Sequence, residues 1–363
     1  MGDALRIGVI GAGNIIGQYL ATLPQLPSVR ITAVADLDPA RAAAVADAHE
    51  GVRATDPAEL CTAEDVDLVL NLTVPAAHAE VALAAIAGGK HVYTEKPLAL
   101  TTAASREVLD AAARAGVRVG CAPDTVLGTG TQTARRCVDD GRIGRPVAAT
   151  AFLTSSGPER WHPSPEFFYR TGGGPLFDMG PYYLTALVTL LGPVARVSAM
   201  AATPRERRVV GSGPLQGTEV PVEVATHVTG LLEHESGALS TLVMSFDVWA
   251  AQLPRIEVYG TEGSLSVPDP NGFGGEVRLF TSDSPQWTEV AVSAGHREAG
   301  RGIGVADLAD ALVDGGAHRA SGELAHHVLD VMESLLRAAG SGRAEEIASS
   351  CPRPAPVPLG QPA

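Results

Sequence analysis

A lysine in a constrained setting is the first residue of this chain that suggests chemistry. Lys96 lies between Glu95 and Pro97, in the segment VYTEKPLAL that covers residues 92–100. A solvated surface lysine needs no such setting, whereas a lysine that must hold one position near a reacting group benefits from the restricted backbone beside a proline. Lys96 is therefore a candidate catalytic residue, and a surface lysine is the alternative.

A glycine-rich loop between a predicted strand and a predicted helix indicates a phosphate-binding site. In IGVIGAGNIIG, Gly11 allows a tight turn and Gly13 lets a pyrophosphate approach the backbone, where the helix N-terminus favours negative charge. The third glycine of a GxGxxG pattern falls on Ile16, and Gly17 comes one place late. A glycine turn that serves only close packing is the alternative interpretation.

An acidic residue follows the second predicted strand at the position that discriminates between dinucleotides. Asp36 lies 25 residues after Gly11. A carboxylate there accepts hydrogen bonds from the adenosine ribose hydroxyls of NAD and repels the extra phosphate of NADP. Arg41 is close enough in sequence to be recruited to that phosphate. The loop and the acid together predict NAD as the cofactor, with NADP as the alternative.

A second set of polar residues follows a run of glycines in TGGGPLFDMGPYYLTALVTLLG. We expect a helix to begin near Pro181, so that Asp178 precedes it and points at the same cleft as Tyr182. A carboxylate can orient a substrate hydroxyl, and a phenol can pass a proton when a neighbouring cation lowers its pKa. The alternatives are that Asp178 only caps the helix and that Tyr182 packs in the core.

The elements that would position the first of these residues alternate between strand and helix over residues 1–123. Short apolar strands occur in LRIGVI, ITAVA, VDLVLNLTV, KHVYTEK and VRVGCA, with helical patterns between them. Strands that alternate with helices of this length predict right-handed βαβ units and a parallel sheet. The N-terminal domain is therefore predicted to be an α/β Rossmann domain with a doubly wound parallel sheet.

The pattern changes in residues 124–345. Beyond residue 195 the sequence alternates with period two, first as two strands around a turn at 235–237 and then in RIEVYGTEGSLSV, GEVRLF and WTEVAV. Helical patterns occur at 125–141, 303–314 and 323–339. We predict a C-terminal α+β domain with a large, mostly antiparallel sheet for substrate binding and oligomerisation, followed by a Pro-rich tail at 346–363.

The segment NLTVPAAHAEVALAAIAGGKHVYTEKPLA resembles the signature of a known enzyme family, the Gfo/Idh/MocA oxidoreductases. The matching residues are Asn71, Thr73, Pro75, His78, Gly89, Lys90, His91, Val92, Glu95, Lys96 and Pro97. The resemblance is dense over the first 123 residues and continues through the YGTEGSLSV strand. It implies an NAD(P)-dependent oxidoreductase that moves a hydride between nicotinamide and a secondary hydroxyl or carbonyl carbon of a sugar, inositol or related polyol.

The resemblance also implies roles for three catalytic residues. Lys96 would reach the substrate hydroxyl beside the nicotinamide, and its bond to Pro97 is often cis in the family. Asp178 matches an aspartate that contacts substrate. Tyr182 stands where many members have histidine and some have a tyrosine acid/base. Thr185 stands where aspartate or asparagine is common in the family. The hydroxyl-binding pattern is therefore altered, and the resemblance does not identify the substrate.

The cofactor-binding residues expected from the glycine loop, the acid and the resemblance form one set. They are Gly11, Gly13, Asn14, Ile15, Asp36, Asn71, Thr73, Pro75, His78, Glu95 and Lys96. Two histidines of the motif, His78 and His91, are more typical of packing or helix-end residues than of catalysts. Arg160, Trp161, His162 and Arg170 lie in a segment that we interpret as a loop over a sugar substrate.

Composition argues against several other classes of partner. A net charge of −14 and an aromatic content of 4% disfavour nucleic acid and anionic membranes. We expect no transmembrane helix and no signal peptide. The four cysteines form no CxxC pair and no cluster with metal-ligand spacing. A reduced, cytoplasmic protein without a bound metal is therefore predicted.

Two other functions are compatible with the same motifs. A redox-neutral, NAD-dependent glycoside hydrolase would need the same lysine, and a non-catalytic NAD(P)-binding regulator would need none of Lys96, Asp178 and Tyr182. We expect an enzyme because all three residues are present. A homodimer or homotetramer that uses the open face of the second domain's sheet is expected by resemblance.

Overall fold

The computed structural model describes residues 4–360, which divide into two compact units. Within these residues, the first unit contains 4–128, 295–329 and 357–360, and the second contains 129–294 and 330–356. The units are therefore not consecutive along the chain. Residues 295–329 return to the first unit, whereas the sequence pattern predicts that they belong to the second domain.

The first unit contains a parallel sheet with helices between its strands. Its elements up to residue 128 are β1 (Leu5–Ile10), α1 (Ile16–Thr22), β2 (Val29–Ala35), α2 (Pro39–Ala48), β3 (Arg53–Thr55), α3 (Pro57–Thr62), β4 (Leu68–Asn71), α4 (His78–Ala87), β5 (His91–Thr94), α5 (Thr102–Ala115) and β6 (Val119–Cys121). The six strands are ordered β3-β2-β1-β4-β5-β6, and all pairs are parallel. The Rossmann prediction is confirmed.

Local signals in the sequence account for the ends of these elements. All four residues of β4 are fully buried, which is typical of a central strand covered on both faces. The side chain of Thr101 accepts the backbone N–H of Ala104 at the start of α5. At the other end of α5, Gly116 adopts a φ of 68°, the left-handed conformation that glycine tolerates best.

The second unit is built on a nine-stranded sheet. Its elements up to residue 294 are α6 (Thr129–Asp139), β7 (Pro146–Thr154), α7 (Gly174–Leu191), β8 (Val194–Ala202), β9 (Arg207–Val209), β10 (Glu219–Pro221), β11 (His227–His234), β12 (Leu239–Ser245), β13 (Ile256–Gly260), β14 (Gly263–Val267), β15 (Arg278–Thr281) and β16 (Ser284–Glu289). Three elements follow along the chain. Helix α8 (Ile303–Asp314) belongs to the first unit, α9 (Gly322–Ser341) begins in the first unit and continues into the second, and β17 (Glu345–Glu346) belongs to the second.

The strand order of this sheet is β16-β15-β14-β13-β7-β12-β11-β8-β17. Only the β7–β12 pair is parallel among these strands. The prediction of a mostly antiparallel sheet is confirmed. Helix α7 packs against β7, β11 and β12, and buried residues alternate with partly exposed ones along β11. One face of the sheet therefore carries the core, and the other presents side chains outward.

No helix within residues 4–360 combines the length and the apolar character that a bilayer span requires. Beyond residue 346 the described tail runs without a helix, and its Arg353 donates hydrogen bonds to the backbone oxygen of Thr189 and to Asp139.

A buried carboxylate joins the end of β6 to the start of α8. Asp124 is fully buried, and its Oδ2 accepts the backbone N–H groups of Gly302 at 2.8 Å and Gly304 at 3.1 Å. Its Oδ1 is buried without a hydrogen-bond partner among the described residues. Burial raises the pKa of Asp124 to about 6, although the two N–H donors oppose the shift.

Replacing this carboxylate by an amide is expected to stabilise the protein above neutral pH. The pKa of Asp124 is higher in the folded state than in the unfolded state, so its ionisation costs stability above pH 6 and the cost vanishes as pH falls toward 4. Asp124→Asn should raise the free energy of unfolding by about 3 kcal/mol at pH 8 and by roughly half of that at pH 5. Urea unfolding at the two pH values measures this, and lower stability of the variant at pH 8 would contradict it.

Candidate active site

The glycine loop after β1 packs closely against the chain that leaves β4. Gly11 has a φ of 106°, and a Cβ on it would lie 2.7 Å from the carbonyl group of Leu72 and 2.9 Å from the backbone nitrogen of Thr73. Its N–H donates to the Ala35 oxygen at 2.8 Å. A side chain cannot fit at this position.

The rest of the loop is open on its outer side. A Cβ at Gly13 would meet no heavy atom within 4 Å. Asn14 is exposed and Ile15 is half-buried in the turn that precedes α1. The backbone of this loop is therefore accessible to a ligand.

Asp36 is held between the glycine loop and the start of α2. Its Oδ2 accepts the backbone N–H of Ala12 at 2.7 Å, and its Oδ1 accepts that of Asp38 at 2.9 Å. A carboxylate oxygen has two lone pairs, so each oxygen keeps acceptor capacity for a ligand hydroxyl. Arg41 lies nearby on α2 and pairs with Asp38 at 3.6 Å.

A buried amide organises the loop after β4. Asn71 is fully buried, and its Oδ1 accepts the backbone N–H of Thr73 at 3.2 Å and the hydroxyl of Thr73 at 2.6 Å. Its Nδ2 donates to the backbone oxygen of His78 at 3.1 Å. Pro75 begins the 3₁₀ turn that leads into α4. Asn71 thus fixes the path of the chain that faces Gly11.

His78 connects this loop to the segment that carries the candidate lysine. The ring is fully buried, with Nδ1 2.6 Å from the Pro97 oxygen and Nε2 3.1 Å from the Thr73 oxygen. Burial lowers the pKa of His78, so a neutral ring with one N–H is favoured, and the shorter contact favours Nδ1 as the donor. His78 therefore donates to the Pro97 oxygen through Nδ1, and its unprotonated Nε2 lies against the Thr73 oxygen.

Lys96 follows β5 and is half-buried. Its peptide bond to Pro97 is cis. The backbone N–H of Lys96 donates to Glu95 Oε2 at 3.1 Å, and Glu95 Oε1 accepts the hydroxyl of Tyr19 at 2.7 Å. Glu95 and Tyr19 are both buried. The sequence gives no signal for this role of Tyr19, because it lies on α1, 76 residues away from Glu95.

The parallel register brings the predicted cofactor residues of this unit to one edge of the sheet. Ile10 is paired with Ala35 on one side and with Asn71 on the other, and Asn71 is paired with Thr94. The glycine loop, Asp36, the Asn71 loop and Lys96 all follow directly after these strand ends. The carboxyl edge of an open parallel sheet is where ligands bind in such folds.

The helix that carries Asp178 and Tyr182 begins earlier than expected. Helix α7 starts at Gly174, and Pro181 lies inside it. The first helical turn already contains Pro175, and a proline at that position is tolerated because no intrahelical N–H bond is needed there. The expectation of a helix start near Pro181 is wrong, and so is the alternative that Asp178 caps the helix.

The corrected helix places the two candidate residues one turn apart. Residues four positions apart share a helix face, so Asp178 and Tyr182 project on the same side of α7. Asp178 is half-buried, whereas Tyr182 is 4% exposed. Thr185 lies one turn further and is also buried.

The loop before α7 is anchored by a buried ion-pair network that the sequence does not reveal. Arg208 on β9 is fully buried and binds Glu159 Oε1 at 3.2 Å and Asp247 Oδ1 at 2.5 Å. Glu159 also accepts the hydroxyl of Tyr169. The partners are separated by up to 49 residues, so no local motif marks them.

The sequence-predicted sugar-site residues lie on this anchored loop. The guanidinium of Arg160 stacks 3.8 Å from the ring centroid of Trp249, and Trp161 is 67% exposed. The ring of His162 lies 5.5 Å from that of Trp161. Arg170 pairs with Glu166. Within residues 4–360, no group of three or more His, Cys, Asp or Glu side chains is arranged to hold a metal ion.

Both parts of the chain are similar to known protein families. Residues 5–122 match the model of an oxidoreductase family with an NAD-binding Rossmann fold, GFO/IDH/MocA, and residues 131–266 match the GFO/IDH/MocA C-terminal domain. A 1,5-anhydro-D-fructose reductase from Ensifer adhaerens is 31% identical over 265 residues, which cover 72% of this chain and 74% of the relative.

Two further similarities extend the comparison. Inositol 2-dehydrogenase 2 from Saccharopolyspora erythraea is 32% identical over 272 residues, which cover 73% of this chain and 74% of the relative. The crystal structure of an NAD binding oxidoreductase from Klebsiella pneumoniae superposes with a TM-score of 0.82 at 26% identity, covering 96% of this chain and 100% of that structure.

The geometry of the glycine loop predicts opposite effects for two alanine substitutions. Gly11→Ala places a Cβ against the Leu72 carbonyl at a positive φ and should lower the free energy of unfolding by about 3 kcal/mol. Gly17→Ala is the matched control, because its Cβ would meet no atom within 4 Å on α1. It should raise stability by up to about 1 kcal/mol. Urea unfolding measures the free energy of unfolding of both variants. An equal change in the two variants would contradict the close approach of the Leu72 carbonyl to Gly11.

Proposed function

The chain belongs to the GFO/IDH/MocA family of oxidoreductases, and we propose that it transfers a hydride between NAD and a secondary hydroxyl or carbonyl carbon of a sugar, inositol or related polyol. The resemblance seen in the sequence is thus confirmed, as is the prediction of an oxidoreductase with an NAD-binding Rossmann domain. The proposal rests on one observation, the convergence of the glycine loop, Asp36 and Lys96 at the carboxyl edge of one parallel sheet.

The residues at this edge fit a dinucleotide. The backbone at Gly13 has open space where a Cβ would stand, which suits the approach of a pyrophosphate. Asp36 is oriented by the N–H groups of Ala12 and Asp38 and retains lone pairs for the two ribose hydroxyls. Asn14, Ile15, Asn71, Thr73, Pro75, His78 and Glu95 complete the cofactor site in this proposal, some by holding its loops. When bound, NAD supplies the hydride acceptor or donor.

We assign the proton of the substrate hydroxyl to Lys96. During oxidation the hydroxyl must lose a proton as the carbon loses a hydride, and a positioned amine can hold that proton. Asp178 would orient the hydroxyl and Tyr182 would pass the proton. Their position one turn apart on one face of α7 supports a joint role. The similarity to a 1,5-anhydro-D-fructose reductase and an inositol 2-dehydrogenase supports a sugar or polyol as the substrate.

The outward face of the nine-stranded sheet is our candidate for the interface of a homodimer or homotetramer. Met200, Leu231 and Leu239 lie on this face of three adjacent strands and are 80%, 60% and 57% exposed. A groove of about 530 Å³ on this face is lined by Leu231 and Leu239 and also by Thr150 and Tyr259. Contiguous exposed apolar residues mark interaction surfaces. The four free cysteines support the cytoplasmic location that the sequence predicts.

The catalytic assignment predicts a selective loss of turnover. Lys96→Met should lower kcat by about 10²- to 10⁴-fold on any sugar or polyol that the native protein oxidises, because the proton acceptor is removed. The Kd for NAD should change by less than about twofold, corresponding to under half a kcal/mol. The absorbance of NADH, followed across a panel of sugars and polyols, measures kcat, and calorimetry measures the Kd for NAD.

Lys90→Met is the matched control for this experiment. Lys90 precedes β5 at the opposite end of the strand, and its amine donates to the Ala63 oxygen at 2.7 Å. This variant should retain native kcat. Full activity of Lys96→Met would refute the mechanism. NAD binding without turnover on any substrate would instead favour the regulator, and release of free sugar without net NADH would favour the hydrolase.

The position of Asp36 predicts a change of cofactor preference. Asp36→Ser removes the carboxylate that repels the NADP phosphate and accepts from the ribose, so the ratio of kcat/KM for NADP to that for NAD should rise by about tenfold or more. Asp38→Ser is the matched control, since Asp38 caps α2 two residues further on and serine caps a helix as well. An unchanged ratio in Asp36→Ser, or an equal rise in both variants, would show that the preference is set elsewhere.

A further inference from the structure

We propose that Tyr19 and Glu95 form a two-bond connection that positions Lys96 relative to the helix following the glycine loop. The connection runs from the Tyr19 hydroxyl to Glu95 Oε1 at 2.7 Å and from Glu95 Oε2 to the backbone N–H of Lys96 at 3.1 Å. Both are positioning residues, which act through Lys96. The inference rests on the catalytic role of Lys96 proposed above.

Tyr19 is suited to be the fixed end of this connection. It is 1% exposed, and burial, followed by the nearby charge of Glu95, raises its pKa well above 10, so the phenol remains a hydrogen-bond donor. A Cβ at Gly302 would lie 3.3 Å from Cδ1 of the Tyr19 ring, so the start of α8 packs directly on it. The ring therefore has little freedom to move its hydroxyl.

Glu95 is suited to transmit that position. Its carboxylate is almost completely buried, and a buried charge must be satisfied by donors within the protein. Its backbone N–H donates to the Asn71 oxygen at 2.9 Å, which holds Glu95 to the end of β4. With the backbone fixed, the direction of the carboxylate depends on the Tyr19 hydroxyl. Removing that donor frees one oxygen and leaves the peptide of Lys96 bonded to a carboxylate that can rotate.

The functional consequence concerns the geometry of the reaction more than the binding of the cofactor. Tyr19 lies on α1, one turn beyond the loop that we assign to the pyrophosphate, whereas Lys96 carries the proton. A catalytic group that is displaced by about an ångström loses roughly 10- to 100-fold in rate without a comparable loss of ligand affinity. The connection should therefore appear in kcat and not in Kd.

The test is Tyr19→Phe with Tyr93→Phe as its control. Tyr93 is equally buried on β5, and its hydroxyl has no hydrogen-bond partner among the described residues, so its loss should change little. We expect Tyr19→Phe to lower kcat about tenfold and to change the Kd for NAD less than about twofold. Tyr93→Phe should keep both values within about twofold of native. Calorimetry and initial rates on the same folded samples provide the comparison.

Two substitutions at Glu95 separate its position from its charge. In Glu95→Gln, the amide oxygen can accept from Lys96 N–H while the amide nitrogen donates to the Tyr19 hydroxyl, so both contacts survive without the charge. Its kcat should therefore exceed that of Glu95→Asp. Glu95→Asp keeps the charge but is one methylene too short to hold both contacts, and it should match Tyr19→Phe.

The outcomes distinguish this inference from the proposed function. Native kcat in Tyr19→Phe, an equal loss in Tyr93→Phe, or a loss of NAD affinity that parallels the loss of kcat would each overturn the connection. A Glu95→Gln variant as slow as Glu95→Asp would show that charge, and not position, is what Glu95 contributes. If Lys96→Met is inactive and Tyr19→Phe is fully active, only this inference fails. If Lys96→Met is active, the proposed function fails first.

Discussion

The constraint on which the candidate site depends is the register of four parallel strands. Because Ile10 is aligned with both Ala35 and Asn71, and Asn71 with Thr94, the strands β1, β2, β4 and β5 end at one level. Apart from His78, which lies 7 residues beyond Asn71, the residues of the proposed cofactor site and Lys96 itself lie within a few positions of a strand end. A shift of one residue in any pairing would turn these side chains to the opposite face of the sheet. The hydrophobic core that fixes the register therefore also fixes where the cofactor-site residues and Lys96 are placed.

Buried polar groups convert this alignment into fixed loops. Asn71 satisfies both its oxygen and its nitrogen within the segment that follows β4, and the ring of His78 bridges that segment to Pro97. Each such group would cost free energy if it were left unpaired, so the loops have few alternative conformations. Not every buried polar atom is paired in this way: one oxygen of Asp124 has no hydrogen-bond partner among the described residues, and burial raises the pKa of this carboxyl. It connects β6 to α8 at a cost in stability.

The sequence predicts what local patterns determine. The alternation of strand and helix and the limits of α8 agree with the structure because each depends on neighbouring residues, as the Thr101 cap and Gly116 at the two ends of α5 illustrate. The start of α7 was predicted wrongly, since Pro175 and Pro181 both resemble a first-turn proline and only packing decides between them. The return of residues 295–329 to the first unit, the bond from Tyr19 to Glu95 and the network around Arg208 have no local signal. They join residues that are distant in sequence.

Helix α7 carries the polar residues that we propose to contact the substrate. It is apolar for most of its length, yet Asp178, Tyr182 and Thr185 recur at intervals of four and three residues, which places them in one row on one face. The hydroxyl of Thr189, one turn beyond, donates to the Thr185 backbone oxygen. If this row contacts the substrate, hydroxyl groups are the chemistry that it is best suited to recognise, since it presents one carboxylate and two hydroxyls and carries no cation.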